Sequence, residues 1–414
     1  MHTATMAWAD SDELREAGDL AGRGGAAVAA LVRDTHLAIA RRAYRLGGPA
    51  ARPVRLAGEA ATLGVYAAVG GGLRLAGLAG GRIAAGRAER ALTDHPRGEL
   101  AVGALNGAWG DWLARRRSPL ALELSLRHDR RDLPVERAAL AEAHPAATGD
   151  VVVFVHGLCE TDRAWLRSAG EHHGDPTSSH GARLHRDLGL IPLYLRYNTG
   201  LRISDNGARL GSLLTRLVAQ WPVPLTRLTL IGHSMGGLVI RAACHTGVER
   251  AEPWVPLVRR VVYLGSPHLG APLEQAATVT GLALRRLPET RPLATALASR
   301  SVGIKDLRHG DVRETDWAGL VDLDAWRPAP AECAPLLPSA EHFYLGATIA
   351  RRHDTVAARV IGDALVPYPS AAGIGRNRRL ALDVGHGRHL GGLHHLDLLN
   401  HPRVYAVLRD WLAG

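Results

Sequence analysis

The sequence predicts an α/β protein: a mostly parallel central sheet with helices on both faces, preceded by an α-helical region. Three observations predict it. Short apolar runs (Val151 to Val155, Ile191 to Tyr197, Leu228 to Ile231, Arg260 to Leu264) alternate with longer segments of helical apolar spacing. Strands covered on both faces read as such continuous runs, and helices between them connect parallel neighbours. The polar motifs fall at the carboxyl ends of the runs, where ligands of open α/β sheets collect. Upstream of about residue 119 no strand signal is found.

Taken in order, residues 11–117 read as helices. Leu31, Val32, Leu37, Ile39 and Ala40 recur near helical spacing with arginines between them. From Leu56 to Ala85 the chain is rich in Gly and Ala and is interrupted by Glu59, Arg74 and Arg82. A membrane-spanning helix there would carry Arg74 near its middle, at a cost of several kcal/mol. Close-packed helices with small-residue contacts are the preferred reading, with an amphipathic surface-bound helix as the alternative. Trp109 and Trp112 are expected to close this region, residues 1–118, against the α/β part, residues 119–414. In that part Leu120 to Leu126 reads as the first strand. Val135 to His144 reads as a short exposed helix and linker. Arg209 to Val218 is a helix, Glu341 to Ala347 and Leu380 to Val384 are late strands, and Val404 to Leu412 is a closing helix. Residues 271–335, with several prolines and few strand signals, read as an insertion over the carboxyl ends of the strands.

The 414 residues suffice for one large domain with an accessory region, and 46% hydrophobic content suits a globular core. The net charge of +10 is carried almost wholly by arginine, with Lys305 the single lysine. It favours anionic partners, phospholipid surfaces among them, through attraction that salt screens. Nucleic acid is not expected, because no basic motif interleaved with aromatics accompanies the charge. Cys159, Cys244 and Cys333 have neither disulfide-framework nor zinc-site spacing. The first residues lack a basic stretch followed by an apolar core, so no secretory signal is read and a cytoplasmic location, free or at a membrane surface, is the default.

The chemistry centres on Gly232-His-Ser-Met-Gly-Gly237, set between an apolar strand and an apolar helical run. Alone, five letters fit a glycine-rich turn with an inert serine. The strand–turn–helix setting makes Ser234 a nucleophile candidate, with Gly232 and Gly236 where side chains would collide with the crossing strand and helix. The helix N-terminus behind Ser234 favours developing negative charge. Strand Val151 to Val155 ends in His156-Gly157-Leu158-Cys159, a turn able to offer a backbone N–H. Leu158 is assigned that donor, with Cys159 the neighbouring option, and Met235 the second donor of an oxyanion hole. The base is expected far downstream, after the acid. His395 is selected because Leu-Asp-Leu-Leu after it opens a helical run; His394 is the alternative. A histidine metal cluster over His386 to His395 lacks ligand spacing, so neither metal nor cofactor is expected. For the acid, Asp363 in Val360-Ile-Gly-Asp-Ala-Leu-Val-Pro367 is preferred and Asp383 is the rival; Asp397 reads as a cap of the last helix. In Leu264-Gly-Ser-Pro-His-Leu-Gly-Ala-Pro272, His268 could line the site, but a structural loop is the preferred reading.

With these motifs in this order, residues 149–414 resemble the α/β-hydrolase superfamily. The likeness is to its serine esterase/lipase branch, and within it to bacterial triacylglycerol lipases and GPI inositol-deacylase-like lipases. The resemblance implies a Ser234–Asp363–His395 triad, oxyanion-hole roles for Leu158 and Met235, a lid formed by 271–335, and ester or lipid substrates. Some such lipases bind calcium near the histidine, but around Asp397 a convincing set of carboxylates is missing. Acyl transfer or amide hydrolysis on the same triad, and a catalytically silent membrane-associated protein of the same fold, are the alternatives.

Overall fold

The computed structural model describes residues 10–45, 52–87, 91–325, 328–330, 332–351, 362–375 and 378–413. Its centre is an eight-stranded sheet in the order β2-β1-β4-β3-β5-β6-β7-β8. The strands are β1 (Ser125–His128), β2 (Arg131–Leu133), β3 (Asp150–Val155), β4 (Ile191–Arg196), β5 (Arg227–His233), β6 (Val258–Leu264), β7 (Glu341–Thr348) and β8 (Gly387–Gly391). From β4 to β8 all neighbours are parallel, while β1 pairs antiparallel with β2 and β4. The helices include α1 (Asp10–Arg45), α2 (Arg52–Ala85), α3 (Pro96–Arg115), α4 (Arg137–Ala143), α5 (Ala169–His173), α6 (His180–Leu188), α7 (Ile203–Gln220), α8 (Met235–Glu249), α9 (Pro272–Leu284), α10 (Arg291–Ala298) and α11 (Val302–Asp306), with a short helix at Tyr368–Ala371 and a C-terminal helix, Pro402–Leu412.

Strand β3 shows why both sheet faces are covered. Val151, Val153 and Val155 enter one core with Leu210, Leu214 and Leu217 of α7 and Met235 to Ala243 of α8. Val152 and Phe154 enter the other, with Leu184 of α6 and Val404, Leu408 and Leu412 of the C-terminal helix. The two-residue period of a strand thus divides an all-apolar run between two helical layers.

The structure differs from the sequence reading at both sheet margins, and each difference has a local cause. Leu120 and Leu122 are buried, but the Asn106 side chain donates to the Leu120 carbonyl (2.7 Å) and accepts from the Leu122 N–H (2.9 Å). Backbone groups that a ladder would use are held by α3, so β1 begins only at Ser125. Leu380 and Leu382 are buried too, yet they line the core from an irregular segment; the last strand is Gly387–Gly391. It lies so close to β7 that a Cβ at Gly387 would overlap the Tyr344 ring. Helix α7 starts at Ile203 rather than Arg209, because Asp306 from the β6–β7 insertion accepts the Ile203 N–H at 3.0 Å.

Helices α1 and α2 form an antiparallel hairpin whose axes meet at glycine. A Cβ at Gly18 would lie 2.5 Å from both Gly77 O and Gly81 Cα. Helix α3 packs on the loops at the carboxyl ends of β3 and β4: Asn198 donates to the Gly110 carbonyl at 2.9 Å, and Thr161 donates to Glu99 at 3.1 Å. The insertion covers the same end of the sheet, where Ser301 donates to the Gly107 carbonyl at 2.6 Å.

Close helix packing beneath the turn after β5 depends on Gly207, where a Cβ would lie 2.5 Å from the Ala242 Cβ and 2.8 Å from Ala243 N. Gly207→Ala is expected to force α7 from α8 and cost about 1–3 kcal/mol. Gly64→Ala, at a helical site with open space around it, is expected to be neutral or stabilising by up to about 1 kcal/mol. Thermal unfolding of the two variants measures the contrast.

Candidate active site

The site is built where β5 stops and α8 begins. Ser234 sits between them at φ 52° and ψ −123°, in the positive-φ region that non-glycine residues rarely occupy. Its N–H donates to the Leu264 carbonyl at the end of β6 (2.8 Å), and Gly237 N–H closes the turn on the Ser234 carbonyl (3.1 Å). The surroundings leave no room for side chains at the flanking glycines. A Cβ at Gly232 would lie 2.5 Å from Gly237 N, and one at Gly236 would overlap the carbonyl oxygens of Val155 and His156. The first turn of α8 is therefore pressed against the end of β3. Its leading N–H groups, that of Met235 first, have no acceptor within the helix.

The turn after β3 runs alongside: a Cβ at Gly157 would lie 3.0 Å from the Ser234 Cβ. Three of its N–H groups are engaged. Gly157 donates to Glu160 Oε2 at 2.6 Å, Cys159 to Thr199 Oγ1 at 3.2 Å, and Glu160 to the Gly157 carbonyl at 3.3 Å. Among the described residues this leaves the Leu158 N–H as the free donor of the turn, with Cys159 itself at φ 62°. Of the two options in the sequence, Leu158 is the one whose N–H is not already spoken for.

His395 opens a short 3-10 turn, His395–Leu399, and is buried. Its Nδ1 lies 2.6 Å from Asp363 Oδ2, and its backbone N–H donates to the Asp363 carbonyl at 2.9 Å. The other oxygen of Asp363 accepts the N–H groups of Leu365 (3.1 Å) and Val366 (2.8 Å). That double hold follows from Gly362 at φ 60° and Ala364 at φ 87°, which curl the chain around the carboxylate. Val360 and Ile361 of the motif lie outside the described residues. In the neutral imidazole, with Nδ1 donating to the carboxylate, the lone pair is on Nε2. It is buried and has no hydrogen-bond partner among the described residues. The imidazole lies over the end of β6, where a Cβ at Gly265 would come within 3.1 Å of its Cε1.

The alternative residues are turned elsewhere. Asp383 is exposed and accepts the Gly385 N–H (2.8 Å) in its own turn. His394 is exposed and pairs with Asp397 at 3.1 Å. Asp397 does cap, but it closes the turn at His395–Leu399 by accepting the His394 N–H (2.9 Å); the C-terminal helix is capped by the His401 ring. His268 is fully buried against Tyr263 and Arg241. No group of three or more potential metal ligands occurs among the described residues. A cleft of about 730 Å³, bounded by Arg127, His144, Trp165 and Tyr194, contains none of the candidate site residues.

Sequence reasoning passed over two residues, Glu160 and His233. The His233 ring is fully buried, with Nδ1 3.0 Å from Glu160 Oε2 and Nε2 3.2 Å from the His395 carbonyl. Burial alone would lower the affinity of His233 for its proton, but the charge and hydrogen bond of Glu160 outweigh it and hold it above the ordinary histidine value. Conversely, burial raises Glu160 while the His233 cation and the Gly157 N–H bring it below the usual carboxylate range. The two shifts agree on an ion pair. A carboxylate three residues past Gly157 was the available signal; its partner lies 73 residues away.

Strand order, parallel register and a nucleophile-type turn between β5 and α8 define an α/β-hydrolase fold. Residues 146–321 match the family model described as the PGAP1-like alpha/beta domain. No curated protein matches the sequence. Similar solved structures include the mature lipase BlEst2 of Bacillus licheniformis, at 18% identity over 64% of this chain and 91% of that one, with a TM-score of 0.41. The phospholipase PlaB of Legionella pneumophila is 16% identical over 64% of this chain and 59% of its own, with a TM-score of 0.37. Lipase B of Aspergillus fumigatus is 13% identical over 69% and 59%, with a TM-score of 0.37.

Proposed function

We propose that the protein is a serine hydrolase that cleaves carboxylic esters, an esterase or lipase, through an acyl-enzyme on Ser234. The observation that supports this reading best is the buried Asp363–His395 pair with an unpartnered Nε2, its ring 4.7 Å from that of His233, the residue directly before the strained Ser234. Asp363 fixes the tautomer, so His395 Nε2 can take the Ser234 proton as Oγ bonds to the ester carbonyl carbon. The carbonyl electrons move to oxygen, and the N–H groups of Leu158 and Met235 bind that oxyanion. Its collapse breaks the bond to the alcohol, which leaves with the proton from His395. Water, deprotonated by the same imidazole, then releases the acid and restores Ser234. The insertion between β6 and β7, over the same end of the sheet, is the lid-like wall of the acyl pocket.

A lipid surface is the second component of the reading. Among the described residues one helix, Arg52–Ala85, is long and apolar enough to cross a membrane by length and composition. Val65, Leu75 and Ile83 each expose more than half of their surface, and α2 carries four arginines, Arg52, Arg55, Arg74 and Arg82, against the single acid Glu59. Arg74 disfavours a spanning position. Apolar side chains interspersed with cations suit the interface of an anionic bilayer, where both gain.

Two measurements test these statements. Ser234→Ala is expected to reduce kcat on short p-nitrophenyl esters by several orders of magnitude with the fold intact; unchanged turnover contradicts the nucleophile. In flotation assays the protein is expected to rise with phosphatidylserine-containing vesicles at low salt, less so at high salt or with Leu75→Glu. A protein that stays at the bottom, or elutes as a dimer that Leu75→Glu dissolves, refutes the bilayer contact.

A further inference from the structure

We propose that Glu160 and His233 form a positioning element that ties the turn offering the Leu158 N–H to the loop carrying His395, holding oxyanion donor and base in one frame. The inference rests on the esterase reading and adds to it residues that touch no substrate. Four segments meet at this pair. Glu160 Oε2 accepts the Gly157 N–H (2.6 Å) and faces His233 Nδ1 (3.0 Å). His233 is the last residue of β5, directly before Ser234, and its Nε2 donates to the His395 carbonyl (3.2 Å). The same His395 backbone donates to the Asp363 carbonyl at 2.9 Å. A continuous chain of hydrogen bonds thus runs from the donor turn through the residue beside the nucleophile to the base and its acid.

The pair is held ionised, Glu160 below and His233 above their ordinary values. With Glu160 ionised, His233 faces two acceptors, Glu160 Oε2 and the His395 carbonyl; neutral imidazole carries one N–H, so only the imidazolium satisfies both. Burying that cation is tolerable because its partner carboxylate lies within hydrogen-bond reach and is itself held by a backbone N–H. The His233 and His395 rings are 4.7 Å apart between centroids, inclined by 43°, so a tilt of one ring is felt by the other. Space is equally restricted on the donor side. A Cβ at Gly157 would lie 3.0 Å from Glu160 Oε2, His233 Nδ1 and the Ser234 Cβ alike. With Glu160 removed, the turn loses its acceptor for Gly157, and His233 loses the charge that keeps both ring nitrogens donating. Leu158 and His395 are then free to shift independently, and misplacement of about 1 Å is worth roughly 100-fold in rate.

Glu160→Ala, Glu160→Gln, His233→Ala and the Glu160→Ala/His233→Ala double variant, compared with wild type and Ser234→Ala on one ester, test the proposal. Glu160→Ala and His233→Ala are each expected to lower kcat about 100-fold with KM within about twofold. The double variant should fall no further than the worse single one, because both break one chain. Glu160→Gln keeps an acceptor oxygen for Gly157 and should recover about tenfold of the loss while leaving His233 without a charge partner. If Ser234→Ala retains turnover, the esterase reading itself fails. If turnover depends on Ser234 but folded Glu160→Ala or Glu160→Gln keeps wild-type kcat, or the two losses multiply in the double variant, the positioning role is refuted. Should Glu160→Ala not fold, Glu160→Gln and His233→Ala decide by the same kcat criterion.

Discussion

The close crossing of strand β5 and helix α8 is the constraint on which the site depends. The chain must reverse within one residue, and the space on either side holds only glycine: Gly232 abuts the backbone of Gly236 and Gly237, and Gly236 abuts the carbonyls that end β3. Ser234 is forced to φ 52° as a result. Such a conformation costs of order 1–3 kcal/mol and persists only where the surroundings over-determine it. Here the Ser234 N–H on the Leu264 carbonyl and the packed cores on both sheet faces supply that determination. Ser234, half-buried at the apex of the turn, is the position from which a hydroxyl can act.

Around this fixed point the polar groups are arranged in two carboxylate–histidine pairs, Asp363–His395 and Glu160–His233. Their surroundings differ in a way that separates their roles. The first leaves one ring nitrogen without a partner among the described residues, and a lone pair so placed is free to accept a proton. The second has both ring nitrogens engaged and is held as an ion pair, so it has no proton-transfer capacity to spare and serves geometry instead. Helix α3 packs on the loops after β3 and β4 and is met there by the β6–β7 insertion, so the N-terminal part of the chain reaches the end of the sheet that carries Ser234.

Much of this was legible in the sequence because it is local. Val151 to Val155 and Leu228 to Ile231 are strands through their own composition, and the glycines of Gly232-His-Ser-Met-Gly-Gly237 announce the turn that contains them. Gly362-Asp363 likewise predicts a carboxylate on a tight turn, and the structure sets it against His395. What escaped depends on partners distant in the chain. Leu120 to Leu126 has a strand's composition, but Asn106 takes its backbone groups; Gly387–Gly391 has little of it, yet β7 accepts it because glycine fits beside Tyr344. Glu160 reads as an ordinary polar loop residue until the fold brings His233 to it. The α1–α2 hairpin is a mixed case: abundant Gly and Ala predicted small-residue contacts, while the pairing of Gly18 with Gly77 and Gly81 needs the three-dimensional register.

The central claim is that Ser234 is an activated nucleophile, and covalent capture tests it most directly. The folded protein would be treated with a fluorophosphonate, digested and analysed by mass spectrometry, with a heat-denatured sample as control. Stoichiometric labelling confined to the peptide containing Ser234, absent from the denatured control, is the predicted result. A folded protein that remains unlabelled at Ser234, or is labelled at another residue instead, would contradict the account.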